Sequence, residues 1–304
     1  MEDLVTGNEI EPPRCCPGCG ETDVVSVLPQ KIDESKLNDF SYSSRKPPEL
    51  MHLELWRCGV CDTLYCPWQV SQELLADEYE SAAYDSGVEA LDAAVAYANN
   101  IEKVLAIKGL GILDIGAGDG AFLSVCKKRG ASRISGIEPS KAAIMSASLD
   151  LQRVIQLGTL DSSTSFSEKF DLATLFMTVE HVADPATVFE SIKGCLSADG
   201  HIAIVCHDRL SIVNRILRTK SPIFDIEHQQ IFTKKGITRL FERMDMEVIY
   251  CNSFKNSYSL RYWIRLLPIP KPMRTVMNYA PSFILGRKIV LNVGNIIIIG
   301  RIKS

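Results

Sequence analysis

No apolar run in this 304-residue sequence reaches the roughly 18 residues of a membrane-spanning helix. The opening residues, MEDLVTGNEIEPP, lack the basic-then-apolar layout of a secretory leader, so a cytoplasmic protein with reduced cysteines is expected. Internal repeats and low-complexity tracts are missing too, which leaves an ordinary folded chain. Basic residues are scarce at the start. Residues 1–80 hold six Lys or Arg against sixteen Asp or Glu, a poor surface for nucleic acid. Acidic residues are scarce at the end, where residues 209–304 hold seventeen basic against five acidic. A basic last third points to an anionic partner: a phosphorylated or nucleotide-linked substrate, or an anionic membrane surface. A solvated basic face is the plainer alternative. The rest of the composition, 46% apolar and 23% charged, suits one large α/β domain with a smaller module.

Six of the ten cysteines lie within residues 15–66. Cys16-Pro-Gly-Cys19 and Cys58-Gly-Val-Cys61 form two C-x-x-C pairs. Each pair sets two thiolates on a tight knuckle, and two knuckles make a tetrahedral sulfur site. In a reducing compartment zinc explains this pattern better than disulfides, and a closed thiolate site implies a structural metal. Iron on the same ligands, or buried cysteines without metal, are the alternatives. Cys15 and Cys66 are left over, and Cys15 could stand in for Cys16. Cys126, Cys195, Cys206 and Cys251 sit in apolar contexts that suit core positions. The sequence thus predicts a zinc-ribbon-like module over residues 1–75 and linking helices over 76–109, with helical patterns read at 71–84 and 88–109. The main domain follows over 110–304.

From residue 110 apolar strands alternate with helical stretches. GILDIG, RISGIEP, RVIQLG, FDLATLFMT, HIAIVCH and MEVIYC read as strands, and KIVLNVGNIIIIGRI as a long last strand or one bulged at Gly294. Between them, GAFLSVCKKRG, SKAAIMSASL, PATVFESIKGC and TKKGITRLFERM read as helices, with Ser140 a cap for the second. Such alternation means a parallel sheet covered on both faces.

The first strand runs into LDIGAGDGAFL, with glycines at 116, 118 and 120. Bare backbone there allows positive φ and lets a ligand lie against the main chain. The following helix start favours an anionic group. Glu138 closes the next strand, where a carboxylate can accept both hydroxyls of a ribose. The ligand is therefore expected to contain an adenosine. The loop also fits the loose pattern G-x-G-x-x-A of nicotinamide dinucleotides, so NAD stays open on the loop alone. Asp114 argues for S-adenosylmethionine. A carboxylate at the strand end would repel a pyrophosphate but welcome a cationic amino-acid moiety.

With these motifs the sequence resembles the class I S-adenosylmethionine-dependent methyltransferases over roughly residues 105–304. LDIGAGDG is similar to their first motif and GIEPS to their second. FDLATLFMTVEHVADP, LSADGHIAIV and FDIEHQQIFTKKGITRLFERMDMEV are similar to the segments around their later strands. The resemblance implies a doubly wound, Rossmann-like, seven-stranded and mostly parallel sheet with an antiparallel last strand. It also implies backbone contacts from Gly116 and Gly118 to the methionine part and from Glu138 to the ribose. Thr159 and Leu160 would face the adenine, although the family often carries an acidic residue there. Some methyltransferases acting on sugars and other small molecules carry a similar C-x-x-CG…C-x-x-C segment ahead of the domain.

Methyl transfer from a sulfonium needs alignment, exclusion of water and, for some acceptors, a base. His181 in TVEHVADP lies at the carboxyl edge of the sheet and is the candidate general base, against a structural role for Glu180 and His181. His207, Asp208 and His228 share that edge, with turn or cap hydrogen bonds as the plainer reading. His52 and His201 carry no assigned role. Residues 253–287, aromatic and basic, read as an insertion that caps the substrate through Tyr258, Arg261, Tyr262, Trp263 and Arg265. Membrane or partner contact is the alternative use of that segment. The function expected is methyl transfer to a small-molecule or glycan-precursor acceptor, anionic in character. An RNA-modifying methyltransferase, an NAD-dependent oxidoreductase and a cofactor-binding protein without turnover are the rivals.

Overall fold

A computed structural model of the chain describes residues 13–33, 50–68, 88–161, 164, 166–266 and 281–303. The helix expected at 71–84 lies outside the described residues. At the N-terminal end, β1 (Val24–Leu28), β2 (Leu55–Cys58) and β3 (Leu64–Tyr65) form an antiparallel meander. Then come α1 (Val88–Ile101), β4 (Gly111–Ile115), α2 (Ala121–Lys128) and β5 (Arg133–Glu138). Two short helices, α3 (Lys141–Ser146) and α4 (Leu149–Gln152), lead to β6 (Ile155–Leu157) and β7 (Phe170–Phe176). The second half holds α5 (Pro185–Cys195), β8 (Leu196–His207), α6 (Ile212–Leu217), β9 (Gln230–Ile231) and α7 (Lys234–Arg243). It ends with β10 (Met246–Ser259), α8 (Leu260–Leu266), α9 (Ser282–Leu285) and β11 (Lys288–Ile302).

The main sheet has seven strands in the order β10-β11-β8-β7-β4-β5-β6. β4, β5, β6, β7 and β8 pair in parallel, and β11 runs against its neighbours on both sides. This is the mostly parallel sheet with an antiparallel last strand that the motifs imply. Its central strands β4 and β7 are buried almost throughout because helices cover both faces. β11 shows this directly. Ile296 and Ile298 pack with Phe189, Ile237 and Phe241 on one face, while Ile297 and Ile299 pack with Ala98, Phe122 and Phe254 on the other. Caps mark the helix starts. Ser140 Oγ accepts from the Ala143 N–H, and the Asp184 carboxylate accepts from the N–H groups of Ala186 and Thr187, with Pro185 in the first turn. Cys126, Cys195 and Cys206 are buried in this core and Cys251 is half-buried beside it.

Three boundaries differ from the sequence pattern. α1 stops at Ile101 instead of running to 109: its last turn carries the poor helix formers Asn99 and Asn100, and Ile107 turns back into the core. β8 begins at Leu196, before the expected His201. β10 continues past 251 to Ser259, because its pairing with β11 resumes beyond a bulge: Phe254 faces Asn295 and Asn256 faces Leu291. Gly294 lies in that bulge at φ 90, and a Cβ there would sit 2.1 Å from Ser211 Oγ. The excursion between β10 and β11 is therefore residues 260–287.

The meander is completed from the far end of the chain. β9, between β8 and α7, pairs with β3 through Leu64–Ile231 and Tyr65–Gln230. Thr233 Oγ1 donates to Cys61 O, an Arg209 Nη donates to Asp62 O, and an Arg243 Nη donates to Pro17 O. Both cysteine knuckles are thus fastened to the segment between β8 and β10.

Candidate active site and cysteine cluster

At the carboxyl end of β4 the chain turns through Gly116 (φ 76), Gly118 (φ 56) and Gly120 (φ 74), a conformation that side chains resist. A Cβ at Gly116 would lie 2.4 Å from Thr178 Oγ1. The turn brings the Gly118 N–H to Glu138, whose Oε2 accepts from it at 2.8 Å while Oε1 accepts from the Ser140 N–H at 2.8 Å. Burial raises the Glu138 pKa against these two bonds. Asp114 is 3% exposed, and burial raises its pKa to about 8 although Thr174 Oγ1 donates to it at 2.6 Å.

These groups open onto a cavity of about 890 Å³. Asp114, Gly116, Gly118, Glu138, Thr159 and Leu160 all line it. Gly120 is not among its lining residues. A Cβ there would press on Leu151 and Ile155, so this glycine serves the packing of α2.

The other end of the cavity is assembled from distant segments. His181 stands on the turn after β7, His207 ends β8, and His228 precedes β9. The three imidazoles form a row, with ring centroids 4.9 Å apart for His181–His228 and 5.3 Å for His207–His228. Each is oriented at Nδ1: His181 by Glu227 Oε2 at 3.2 Å, His207 by Asn295 Oδ1 at 3.1 Å, and His228 by Ile223 O at 2.7 Å. Their charges differ. Burial lowers His207 to about 4 and His228 to about 3. Burial works against charge on His181 as well, but the Glu227 bond and nearby carboxylates overcome it and raise the pKa above 6.5. Glu180 turns inward, where its Oε1 accepts from the His207 N–H at 2.7 Å. Asp208 accepts from the Leu210 N–H at 3.0 Å, a turn contact outside the cavity lining.

Tyr97, Phe176, Tyr258, Tyr262 and Trp263 give this end an aromatic wall, with Tyr97 stacked on Phe176 at 4.2 Å. Arg261 is exposed and outside the lining, and the Arg265 side chain lies outside the described residues. No Lys or Arg is among the described residues lining the cavity; its charged groups are carboxyls and histidines. Sequence reasoning did not single out Glu227, Asn295 or Tyr97. Glu227 had only its neighbour His228 as a signal, and the other two had none.

Away from the cavity, Cys16, Cys19, Cys58 and Cys61 gather with their sulfur atoms within 4.8 Å of one another. Cys16–Cys61 are 3.5 Å apart and Cys19–Cys58 3.4 Å. The hydrogen shared in the first pair pushes Cys16 up and Cys61 down, to about 5. Three of the four are buried and the set is closed, so it fits a structural zinc, which these four thiolates would hold with no open position for chemistry. Cys15 is exposed, and Cys66 points elsewhere, donating to Trp68 O.

The strand order, the glycine turn and the paired carboxyls together define an S-adenosylmethionine-binding methyltransferase fold. The family described as "Methyltransferase domain" matches residues 90–250, and this chain belongs to it. Among curated relatives, the ubiquinone biosynthesis O-methyltransferase of Actinobacillus pleuropneumoniae is 28% identical over 188 residues, covering 54% of this chain and 77% of that protein. The enzyme of the same name from Alkalilimnicola ehrlichii is 30% identical over 102 residues, covering 32% and 41%. Among solved structures, the YcgJ protein of Bacillus subtilis gives a TM-score of 0.49 at 19% identity, covering 69% of this chain and 99% of that one. Among the described residues no helix is long and apolar enough to cross a membrane.

Proposed function

We propose that this methyltransferase methylates a hydroxyl of a small, ring-bearing acceptor, with His181 removing the proton. One observation carries the reading. A single cavity joins the glycine turn and Glu138 to the His181–Glu227 pair. S-adenosylmethionine, when bound, supplies a methyl already activated on sulfur. Gly116, Gly118, Glu138, Thr159 and Leu160 would hold it, and the Asp114 carboxyl offers its amino group a buried counter-charge. At the other end Glu227 fixes Nδ1 of His181, so Nε2 takes the acceptor proton. His207 and His228, held neutral by burial, add no charge that would oppose this transfer. A base of this strength suits a hydroxyl of phenol-like acidity, near pKa ~10, better than an alkyl alcohol. The aromatic wall suits a flat ring, and the curated relatives are O-methyltransferases by name.

The phosphorylated or nucleotide-linked acceptor drawn from the basic last third keeps one support. Arg215, Arg218 and Lys220 are exposed on α6 and the turn after it, next to the Val213, Asn214 and Leu217 that line the cavity. An anionic tail beyond the ring would meet them there. The test is S-adenosylhomocysteine release across a panel of phenols, nucleotide sugars, simple alcohols and amines. Turnover with phenols, strengthened by an anionic substituent, is expected. Turnover confined to amines would end the reading.

A further inference from the structure

Arg14 belongs to no motif and lies two residues before the first cysteine of the metal knuckle, yet its guanidinium reaches the active-site turn. Nε donates to Cys66 O at 2.7 Å, one Nη to Ala183 O at 2.6 Å, and the other Nη to Gln229 O and Gln230 Oε1, both at 3.0 Å. Its backbone N–H is tied to Pro67 O at 2.9 Å. Gln230, fully buried, passes the connection on: its Nε2 donates to Val179 O at 2.7 Å and Val182 O at 2.9 Å. The Gln229 N–H donates to Glu180 O at 2.9 Å. So the carbonyls of 179, 180, 182 and 183 are all held by donors from outside their own turn. His181 sits in the middle of that turn, and His228 directly precedes Gln229.

A turn of five residues has few bonds of its own to fix it, and buried carbonyls demand partners. Here the partners come from the cysteine module and from the segment that closes its sheet. We propose that Arg14 is a positioning residue for methyl transfer: it fixes the 179–183 turn against β9, and so sets the His181 ring against Glu227 and the cavity. The cysteine module then has a catalytic purpose beyond stability, because it is the platform from which Arg14 acts. This rests on His181 being the base.

The test compares Arg14→Gln and Arg14→Lys in the full chain, alone and combined with His181→Gln. A displaced base costs rate more than binding. Arg14→Gln is expected to lower kcat at least ~10-fold while the dissociation constant for S-adenosylmethionine stays within ~2-fold. Arg14→Lys, which can reach fewer of the four acceptors, should recover part of the loss. In the His181→Gln background, Arg14→Gln should cost less than ~2-fold more, since the two act through one group. Independently, the titration of the His181 ring, followed by NMR in the protein without substrates, should move to lower pH as its contact with Glu227 loosens. Should Arg14→Gln fail to fold, Arg14→Lys carries the same comparison. An unchanged kcat, an equal loss in both backgrounds, or an unmoved His181 titration overturns the proposal. If His181→Gln itself keeps full kcat, the base reading falls, while the NMR result still decides whether Arg14 positions the ring.

Discussion

The two ends of the cavity are built in opposite ways. The end proposed for the cofactor is local: Asp114, Gly116, Gly118 and Glu138 come from one strand–turn–helix–strand unit of 25 residues, from 114 to 138, and Glu138 closes it by accepting from the Gly118 and Ser140 N–H groups. The proposed acceptor end draws His181, His207, Glu227, His228, Asn295 and Tyr97 from five separate stretches, and tertiary packing alone brings them within reach. A local unit can be reused with any chemistry beside it, which is why the fold fixes the cofactor and leaves the acceptor to the individual chain.

That contrast can be broken at either end. The largest expected effect is at the acceptor end. His181→Gln should lower kcat by about 10³-fold with cofactor affinity little changed, since general bases contribute roughly 10²–10⁴-fold. Single-turnover kinetics and calorimetry on one sample would separate the two. Next, Glu138→Ala should weaken cofactor affinity by about 100-fold, the loss of charge-assisted bonds in a buried site. Unaltered calorimetric affinity would remove Glu138 from the site.

Smaller changes sharpen the comparison. Glu227→Gln removes what raises the His181 pKa. A base works when neutral, so the acidic limb of kcat against pH should move to lower pH, and an unmoved limb would show that His181 does not titrate in the rate. Asp114 should show a stability cost instead. Its pKa is 3.8 in the unfolded chain and about 8 in the fold, so the unfolded state loses its proton first, and the cofactor-free protein loses stability as pH rises from about 4 to about 8. Asp114→Asn should therefore raise Tm at pH 8 by a few degrees while weakening cofactor binding. A Tm that falls at pH 8 would contradict the burial argument. The smallest effect is at the rim. Arg218→Ser with Lys220→Ser should raise KM for an anionic acceptor by about 2- to 5-fold and leave neutral acceptors alone, as exposed ion pairs are worth about 1 kcal/mol or less.

Much of this was legible before any coordinates. Alternating glycines with positive φ, an acidic strand end and runs such as NIIIIG follow from local sterics and from burial on two faces, and these fix the sheet and the glycine turn at its edge. The two C-x-x-C pairs likewise foretell a closed sulfur set, because each knuckle is short-range. What the sequence could not show was which histidine takes the charge. His181, His207 and His228 are chemically alike in the chain and all three are desolvated by burial; only the placement of Glu227 beside the first separates them. Nor could it show that β9 completes the cysteine sheet, or that Arg14 holds a turn 169 residues away. Local geometry is written in neighbouring residues. Charge state and long-range bracing depend on which distant groups the fold buries together, and those are decided only when the chain has packed.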